Sequence, residues 1–362
     1  MVVVNKIEKG NRYYKAISYC LRSRMRMYPS IITWFVIERC NLQCNHCFVV
    51  NKIHIPREPL PLETSKSFIR NLGVSKIIFT GGEPMMLEGF LELVEEAFKK
   101  NMDVSICSNG FKSEKLLKKL REENRKIYIQ VSLDGPKGIH NRIRGSDTAY
   151  DDAMNLILNG RRDGHRVEIA TTVSSENFIY LESICKELAK EKLFCCFVFI
   201  RSSDQIGKEI DFIPNKKNDL SISQMRECYR IWKKYNAPYM GQLDRAIITI
   251  DFEEEMSFFQ RGRWSYKCAA GVADAVLYPN GEVSVCEMAA PVGNILDHNL
   301  DWAEFWRHHP QKLKNCACQL CPAIINSIAH YPRGLVSLVR RYITQLKWTA
   351  PLINWRGDTG SS

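Results

Sequence analysis

Cys40, Cys44 and Cys47 stand in the stretch ERCNLQCNHCF, a C-x3-C-x2-C triple followed directly by Phe48. Three thiolates on one short loop can hold three irons of a four-iron, four-sulfur cube. A cluster ordinarily takes four cysteine ligands, so a triple leaves one iron open to a small molecule and makes the site chemical rather than a wire. Zinc loops favour C-x2–4-C pairs with a second pair elsewhere. The spacing therefore favours iron–sulfur, with a zinc loop or three unrelated buried thiols as the alternatives. His46, inside the loop, reads as a filler near the cluster rather than a ligand.

The elements that must position these residues follow from the apolar pattern. Residues 31–38 form an apolar, β-branched run that reads as a buried strand and delivers the chain into the cysteine loop. Residues 75–84, 102–110, 127–136, 166–173 and 193–200 predict five more strands, and 62–71, 87–100, 113–122, 146–162 and 178–191 predict the helices between them. Strands alternating with helices of this length argue for βαβ units on a parallel sheet, here an α/β open or partial barrel. The chemistry-bearing residues gather where strands end: the cysteine loop, GGEP (81–84), SNG (108–110) and SLDGP (132–136). Active sites of parallel α/β folds lie at those carboxyl ends. After residue 200 the alternation stops. Residues 219–235 predict a helix, 274–286 a hairpin with a type I′ turn at Asn280-Gly281, and 301–314 another helix before a cysteine-rich turn. The composition shifts near 255–265, and there is no internal repeat.

The chain has 362 residues, 45% hydrophobic and 25% charged, which suits a large globular core in one or two domains. Its 14 cysteines are too sparse for a disulfide scaffold, and no secretory signal or membrane-length apolar run is visible, so the expected compartment is a reducing cytosol. The net charge of +11 favours anionic partners without selecting nucleic acid, membrane or an acidic substrate. Cys20, Cys107, Cys185, Cys195, Cys196 and Cys228 read as small buried residues, and His308 and His309 as exposed. Residues 12–28 and 333–348 are basic and amphipathic. Such helices pack on a barrel or lie on an anionic membrane face, so peripheral contact with the inner membrane is one expectation.

Taken in order, C-x3-C-x2-C, GGEP, SNG and SLDG resemble the radical S-adenosylmethionine (radical SAM) enzymes over roughly residues 31–200. The resemblance implies a partial (β/α)6 TIM-like barrel. It implies that Cys40, Cys44 and Cys47 bind a [4Fe-4S] cluster whose open iron is chelated by S-adenosylmethionine. Gly81, Gly82, Glu83 and Pro84 would line the methionine end, with Phe48 beside the cofactor and Ser108, Asn109, Ser132, Asp134 and Arg144 as further contacts. For Ser132 and Asp134 a plain strand end and Asp-Gly turn is the competing reading, and for Arg144 a surface arginine.

The C-terminal part resembles the twitch and SPASM extensions of that family. Cys268 and Cys286, with Gly281 five positions before Cys286, fit the opening of such a domain, and Cys318 and Cys321 complete the set for one auxiliary [4Fe-4S] cluster, with Cys316 as a substitute ligand or free thiol. A structural zinc site on the same cysteines is the alternative. The expected organisation is an N-terminal basic helix over 1–30, the barrel over 31–260, a twitch-like domain over 261–325 and a basic C-terminal helix over 326–362. About thirty residues precede the first strand, too few for an added peptide-recognition domain. The resemblance implies hydrogen-atom abstraction from a peptide, or from a small anionic or lipid-linked metabolite, with a flavodoxin- or ferredoxin-type reductant and no specific nucleic acid. A cluster-binding protein without activity is the third class.

Overall fold

Alternation within the strands decides which side of the sheet is core. The structure, a computed structural model, describes residues 18–309 apart from 20, 24, 48, 50–55, 201–219, 262–268 and 288. In β1 (Ile31–Ile37), Ile32, Trp34 and Val36 enter the main core, while Phe35 packs with Val276 and Tyr278. Successive side chains of a strand point to opposite faces, so β1 is buried on both. The same phase holds in β2 (Lys76–Gly81), β3 (Asp103–Ser108), β4 (Tyr128–Ser132), β5 (Arg166–Val173) and β6 (Cys195–Phe199). Phe79, Ile106, Ile129, Ile169 and Phe197 lie on the helix side in the main core. Cys107, Gln130 and Glu168 alternate with them onto the other face.

The six expected strands are all present, all parallel, and adjacent in chain order. The expected helices appear as α1 (Leu62–Asn71), α2 (Phe90–Lys99), α3 (Ser113–Glu122), α5 (Ala149–Arg162) and α6 (Leu181–Lys190). Two helices were not expected. α4 (Lys137–Arg144) follows the SLDGP turn; it is short and rich in basic residues, with few apolar positions to betray it. α8 (Gln242–Arg261) has apolar residues scattered around its circumference rather than in one stripe, so no helical period shows in its sequence. It packs against α7 (Ile222–Tyr235), the helix expected at 219–235.

The C-terminal hairpin extends the same sheet. β7 (Asp274–Leu277) pairs parallel with β1, Ile31 against Asp274, and β8 (Glu282–Ser284) and β9 (Gly293–Asn294) follow antiparallel. The order is β6-β5-β4-β3-β2-β1-β7-β8-β9. The hairpin turn is not type I′. Only Gly281 has positive φ, +87°, and the turn closes from the Gly281 N–H to the Tyr278 carbonyl at 3.1 Å. Pro279, with its fixed φ, occupies the second turn position, where a type I or II turn accepts it.

α9 (Trp302–His308) falls within the helix expected at 301–314 and stops at His309, whose φ of −120° and ψ of 56° are not helical; residues 310–314 lie outside the described residues. Its Trp302 indole donates to the Pro29 carbonyl at 3.0 Å and packs edge-on against Phe68, which itself meets Trp34. Phe79 is fully buried between Trp34 and Phe90. Phe79→Ala is expected to cost about 3–5 kcal/mol of folding stability, read by urea denaturation. A loss below about 1 kcal/mol would show that this aromatic stack is not central.

Candidate cofactor site at the carboxyl ends of the strands

The chain leaves β1 and β2 side by side, and the contact leaves no room for side chains. The Gly82 N–H donates to the Ile37 carbonyl at 2.7 Å and the Glu83 N–H to the Arg39 carbonyl at 3.1 Å. A Cβ on Gly82 would stand 2.1 Å from the Arg39 oxygen, and one on Gly81, at φ +149°, 2.1 Å from the Ile37 oxygen. The two glycines therefore let the GGEP strand end press against the entry to the cysteine loop.

Glu83 then ties β2 to β3. Its side chain is fully buried and accepts from the Met85 N–H at 3.2 Å, the Asn109 N–H at 2.8 Å and the Ser108 hydroxyl at 3.0 Å. No cation pairs with it among the described residues. Burial outweighs these donors and pushes its carboxyl up to about 7. Asn109 completes the bridge, its side-chain amide donating to Asn41 Oδ1 at 3.0 Å and to Cys40 Sγ at 3.6 Å. Pro84 opens a 3₁₀ turn behind this junction.

The cysteine loop is held from the other side by α4. The Gln43 and Asn45 N–H groups donate to the carbonyls of Arg144 and Ile143 at 3.3 and 3.0 Å. Arg144 is buried, contrary to the surface reading. Its guanidinium donates to Asp134 Oδ2 at 2.6 Å and to Cys44 Sγ at 3.6 Å. Asp134 is fully buried, and its other oxygen accepts from the Thr172 N–H at 2.9 Å. Burial alone would raise the Asp134 carboxyl, but Arg144 and His46 hold it below the ordinary carboxylate range. His140 Nδ1 accepts from the Asp134 N–H at 2.9 Å, and burial lowers the His140 pKa to about 4, which keeps the ring neutral. Ser132 is half-buried at the end of β4. His46 Nε2 lies 3.9 Å from Asp134 Oδ2.

Cys40, Cys44 and Cys47 pack in one cluster around Leu42 and Ala149. No group of three or more His, Cys, Asp or Glu among the described residues converges as a single metal ion requires. A cube differs, because each cysteine binds its own iron and the sulfurs stand apart. Burial pushes the Cys40 thiol up to about 11, with the neighbouring Glu83, Cys44 and Cys47 adding to it against the Leu42 N–H. Such crowded, desolvated thiols suit a cation-rich group that takes their negative charge, so the donor set fits an iron–sulfur cluster.

Phe48, Cys268, Cys316, Cys318 and Cys321 lie outside the described residues, as do 333–348 and, of 12–28, residues 12–17, 20 and 24. Cys286 follows β8, half-buried against the main core. Of the six cysteines expected to be buried fillers, Cys185, Cys195 and Cys228 are so; Cys107 and Cys196 are partly exposed on the inner face of the sheet, and Cys20 lies outside the described residues. His308 is exposed and His309 half-buried. Sequence reasoning missed Arg57. It donates to Glu38 at 2.5 Å and Glu282 at 2.6 Å and covers the Tyr278 ring at 4.3 Å. It thereby clasps the segment after the cysteine loop to the hairpin. The one available signal was Glu38, a charge directly after an apolar strand.

Two outcomes are expected. In the metal-free protein, stability falls as pH rises from about 4.5 to about 7, because the folded chain retains the Glu83 proton that the unfolded chain releases. Glu83→Gln removes that slope, worth on the order of 3 kcal/mol, in urea titrations across pH; an unchanged slope would rule out the buried acid. Arg144→Gln, which leaves Asp134 buried without its cation, costs about 3–5 kcal/mol by the same measurement, and a neutral outcome would mean the pair is not desolvated.

Comparison with known proteins agrees with this geometry. Residues 34–188 match the profile of the Radical SAM superfamily. The chain is 29% identical over 201 residues to Fe-coproporphyrin III synthase of Methanosarcina barkeri, covering 54% of this chain and 49% of that protein. It is 26% identical over 285 residues to the sporulation killing factor maturation protein SkfB of Bacillus subtilis, covering 75% and 64%. The chain thus spans about half to two thirds of the length of these relatives. The solved structure of anSMEcpe with bound AdoMet and Cp18Cys peptide has a TM-score of 0.56 at 18% identity, covering 88% of this chain and 98% of that one. With the cysteine loop, the GGEP strand end and the parallel sheet in place, residues 34–188 form a domain of the radical SAM superfamily.

Proposed function

We propose that this protein binds a [4Fe-4S] cluster through Cys40, Cys44 and Cys47, binds S-adenosylmethionine at its open iron, and modifies a peptide as a maturase. One observation carries the first part: three strand ends meet at the loop, with Asn109 bonded to Glu83 through its backbone and to Cys40 through its side chain. When bound, the cluster and S-adenosylmethionine supply a one-electron cleavage that yields methionine and a 5′-deoxyadenosyl radical able to take hydrogen from an unactivated carbon.

The chain's own part is charge and position. The three thiols must lose protons on loading, and Cys40, held near about 11, makes loading favour higher pH. The Leu42 N–H and Asn109 amide stand ready for the Cys40 sulfur, and Arg144 for that of Cys44. An ammonium docking beside Gly81, Gly82, Glu83 and Pro84 would hold the Glu83 carboxyl ionised. Ser108 and Ser132 border the same end of the sheet, Phe48 would lie beside the cofactor, and Asp134 serves by fixing Arg144. The peptide substrate is favoured over a small metabolite because the match to SkfB runs over 285 residues, well beyond the superfamily's 34–188. Cys268, Cys286, Cys318 and Cys321 would hold one auxiliary cluster, with Cys316 as a substitute. A flavodoxin or ferredoxin, both acidic one-electron donors, suits a chain of net charge +11. Among the described residues no helix is long and apolar enough to cross a membrane.

Anaerobic reconstitution tests the reading. With reductant and S-adenosylmethionine, 5′-deoxyadenosine is expected, together with about eight irons per chain for two four-iron clusters. Replacing Cys40, Cys44 and Cys47 by Ala should abolish the product and remove about half the iron. About four irons with product would refute the auxiliary cluster. No product from a loaded, reduced protein, with a peptide panel present, would refute the activity.

A further inference from the structure

The inner face of the sheet carries a polar row that the cofactor site does not use. Strand register sets Cys107 beside Gln130 and Gln130 beside Glu168, on β3, β4 and β5. The Cys107 thiol donates to Gln130 Oε1 at 3.5 Å. Their strand neighbours Ile106, Ile129 and Ile169 pack into the helix-side core, so the row faces inward, on the side of Ser132 and Thr172. It lies two residues below Ser132, about 7 Å deeper into the sheet.

Glu168 is 9% exposed, and no hydrogen bond or ion pair reaches its carboxylate from the described residues. Buried carboxylates are ordinarily paired. The cations nearer the foot of the strands are engaged: Lys76 and Arg166 lie against the Tyr128 ring at 5.9 and 5.7 Å, and Arg166 also reaches Asp244 of α8 at 3.5 Å. Asp251 lies two helical turns along from Asp244 and so on the same face of α8. Burial pushes its carboxyl up to about 7, and no described cation pairs with it.

We propose that Glu168 is the charged floor of a substrate subsite for a cationic side chain, the ammonium of a lysine or the guanidinium of an arginine, with Gln130 as a second acceptor. The carboxylate gains from the ligand the partner that the fold withholds. The row lies below the strand ends that hold the cofactor, so a side chain entering past them would carry its charge to Glu168 and its methylenes along the wall. This inference rests on the peptide reading above.

The test uses the reconstituted full chain with S-adenosylmethionine and four blocked tripeptides, acetyl-Gly-X-Gly-amide with X as lysine, arginine, norleucine or glutamate. Affinities come from saturation-transfer NMR titrations. A lysine or arginine tripeptide is expected to bind at least about tenfold more tightly than the norleucine one, with glutamate weakest. Glu168→Gln, checked for folding by circular dichroism, should erase that preference while norleucine binding stays. Equal affinities, no binding by any tripeptide, or a preference that survives in folded Glu168→Gln would each overturn the proposal. If Glu168→Gln does not fold, the comparison of the four tripeptides on the wild-type chain decides. Formation of 5′-deoxyadenosine, assayed separately, distinguishes the two readings: cleavage without cation preference overturns only the subsite, and cation preference without cleavage overturns only the activity.

Discussion

Two carbonyl-to-amide bonds between the ends of β1 and β2 set the geometry on which the cysteine loop depends. Gly82 to Ile37 and Glu83 to Arg39 bring two backbones as close as strands in a ladder, yet beyond the point where the ladder should end. The register between β1 and β2 breaks between Phe35 and Ile37, so β1 bends as it leaves the sheet. That bend and the absent side chains of Gly81 and Gly82 place Cys40 over β3, within reach of Asn109. Everything else at the site is added to this contact: Glu83 ties in β3, and α4 returns to cap the loop from the opposite side.

Much of this was legible in the sequence, and the failures have physical causes. The six parallel strands were visible as apolar runs, because a sheet flanked by helices demands them. α4 and α8 were not, because neither shows a single apolar stripe; α4 is held by its terminal carbonyls on the loop, and α8 is wrapped by acidic residues. The hairpin was legible, but its turn type was not: Pro279 takes the corner, and Asn280 never enters the left-handed region that a type I′ turn needs. Arg144 read as well as a surface residue as a site residue. Only the fold shows Asp134, ten positions earlier, waiting for it in the interior. Glu168 offered no signal at all, since an isolated glutamate in a strand marks solvent far more often than a cavity.

The charge distribution has a common pattern. The loop and its surroundings bury ionisable groups in matched or nearly matched sets. Asp134 has Arg144, Glu38 has Arg57, and Arg57 also has Glu282. Such pairs are weak sources of net stability and strong sources of geometry, because removing either partner strands the other. Of these pairs, Arg57–Glu282 joins segments far apart in the chain, the stretch after the loop and the hairpin, while Asp134–Arg144 ties the end of β4 to α4, whose last carbonyls hold the loop. Where a carboxylate has no cation among the described residues, at Glu83 or Glu168, it faces the sheet's carboxyl end or its inner side, where ligands of a parallel α/β fold reside.

The pairing of β7 with β1 has a consequence for how the protein is made. β1 is an interior strand of the finished sheet, but one of its two neighbours, beginning at Asp274, is synthesised long after Ile31. At ordinary translation rates of about 5–20 residues per second, the edge of β1 stays unpaired for on the order of ten seconds or more, with the cysteine loop already outside the ribosome. During that interval the loop has its partners on β3 and α4 but lacks the wall formed by Tyr278 and the Arg57 clasp. The nascent chain therefore offers its thiols more openly than the finished one, and the completion of the sheet itself acts as the step that encloses whatever the loop has by then acquired.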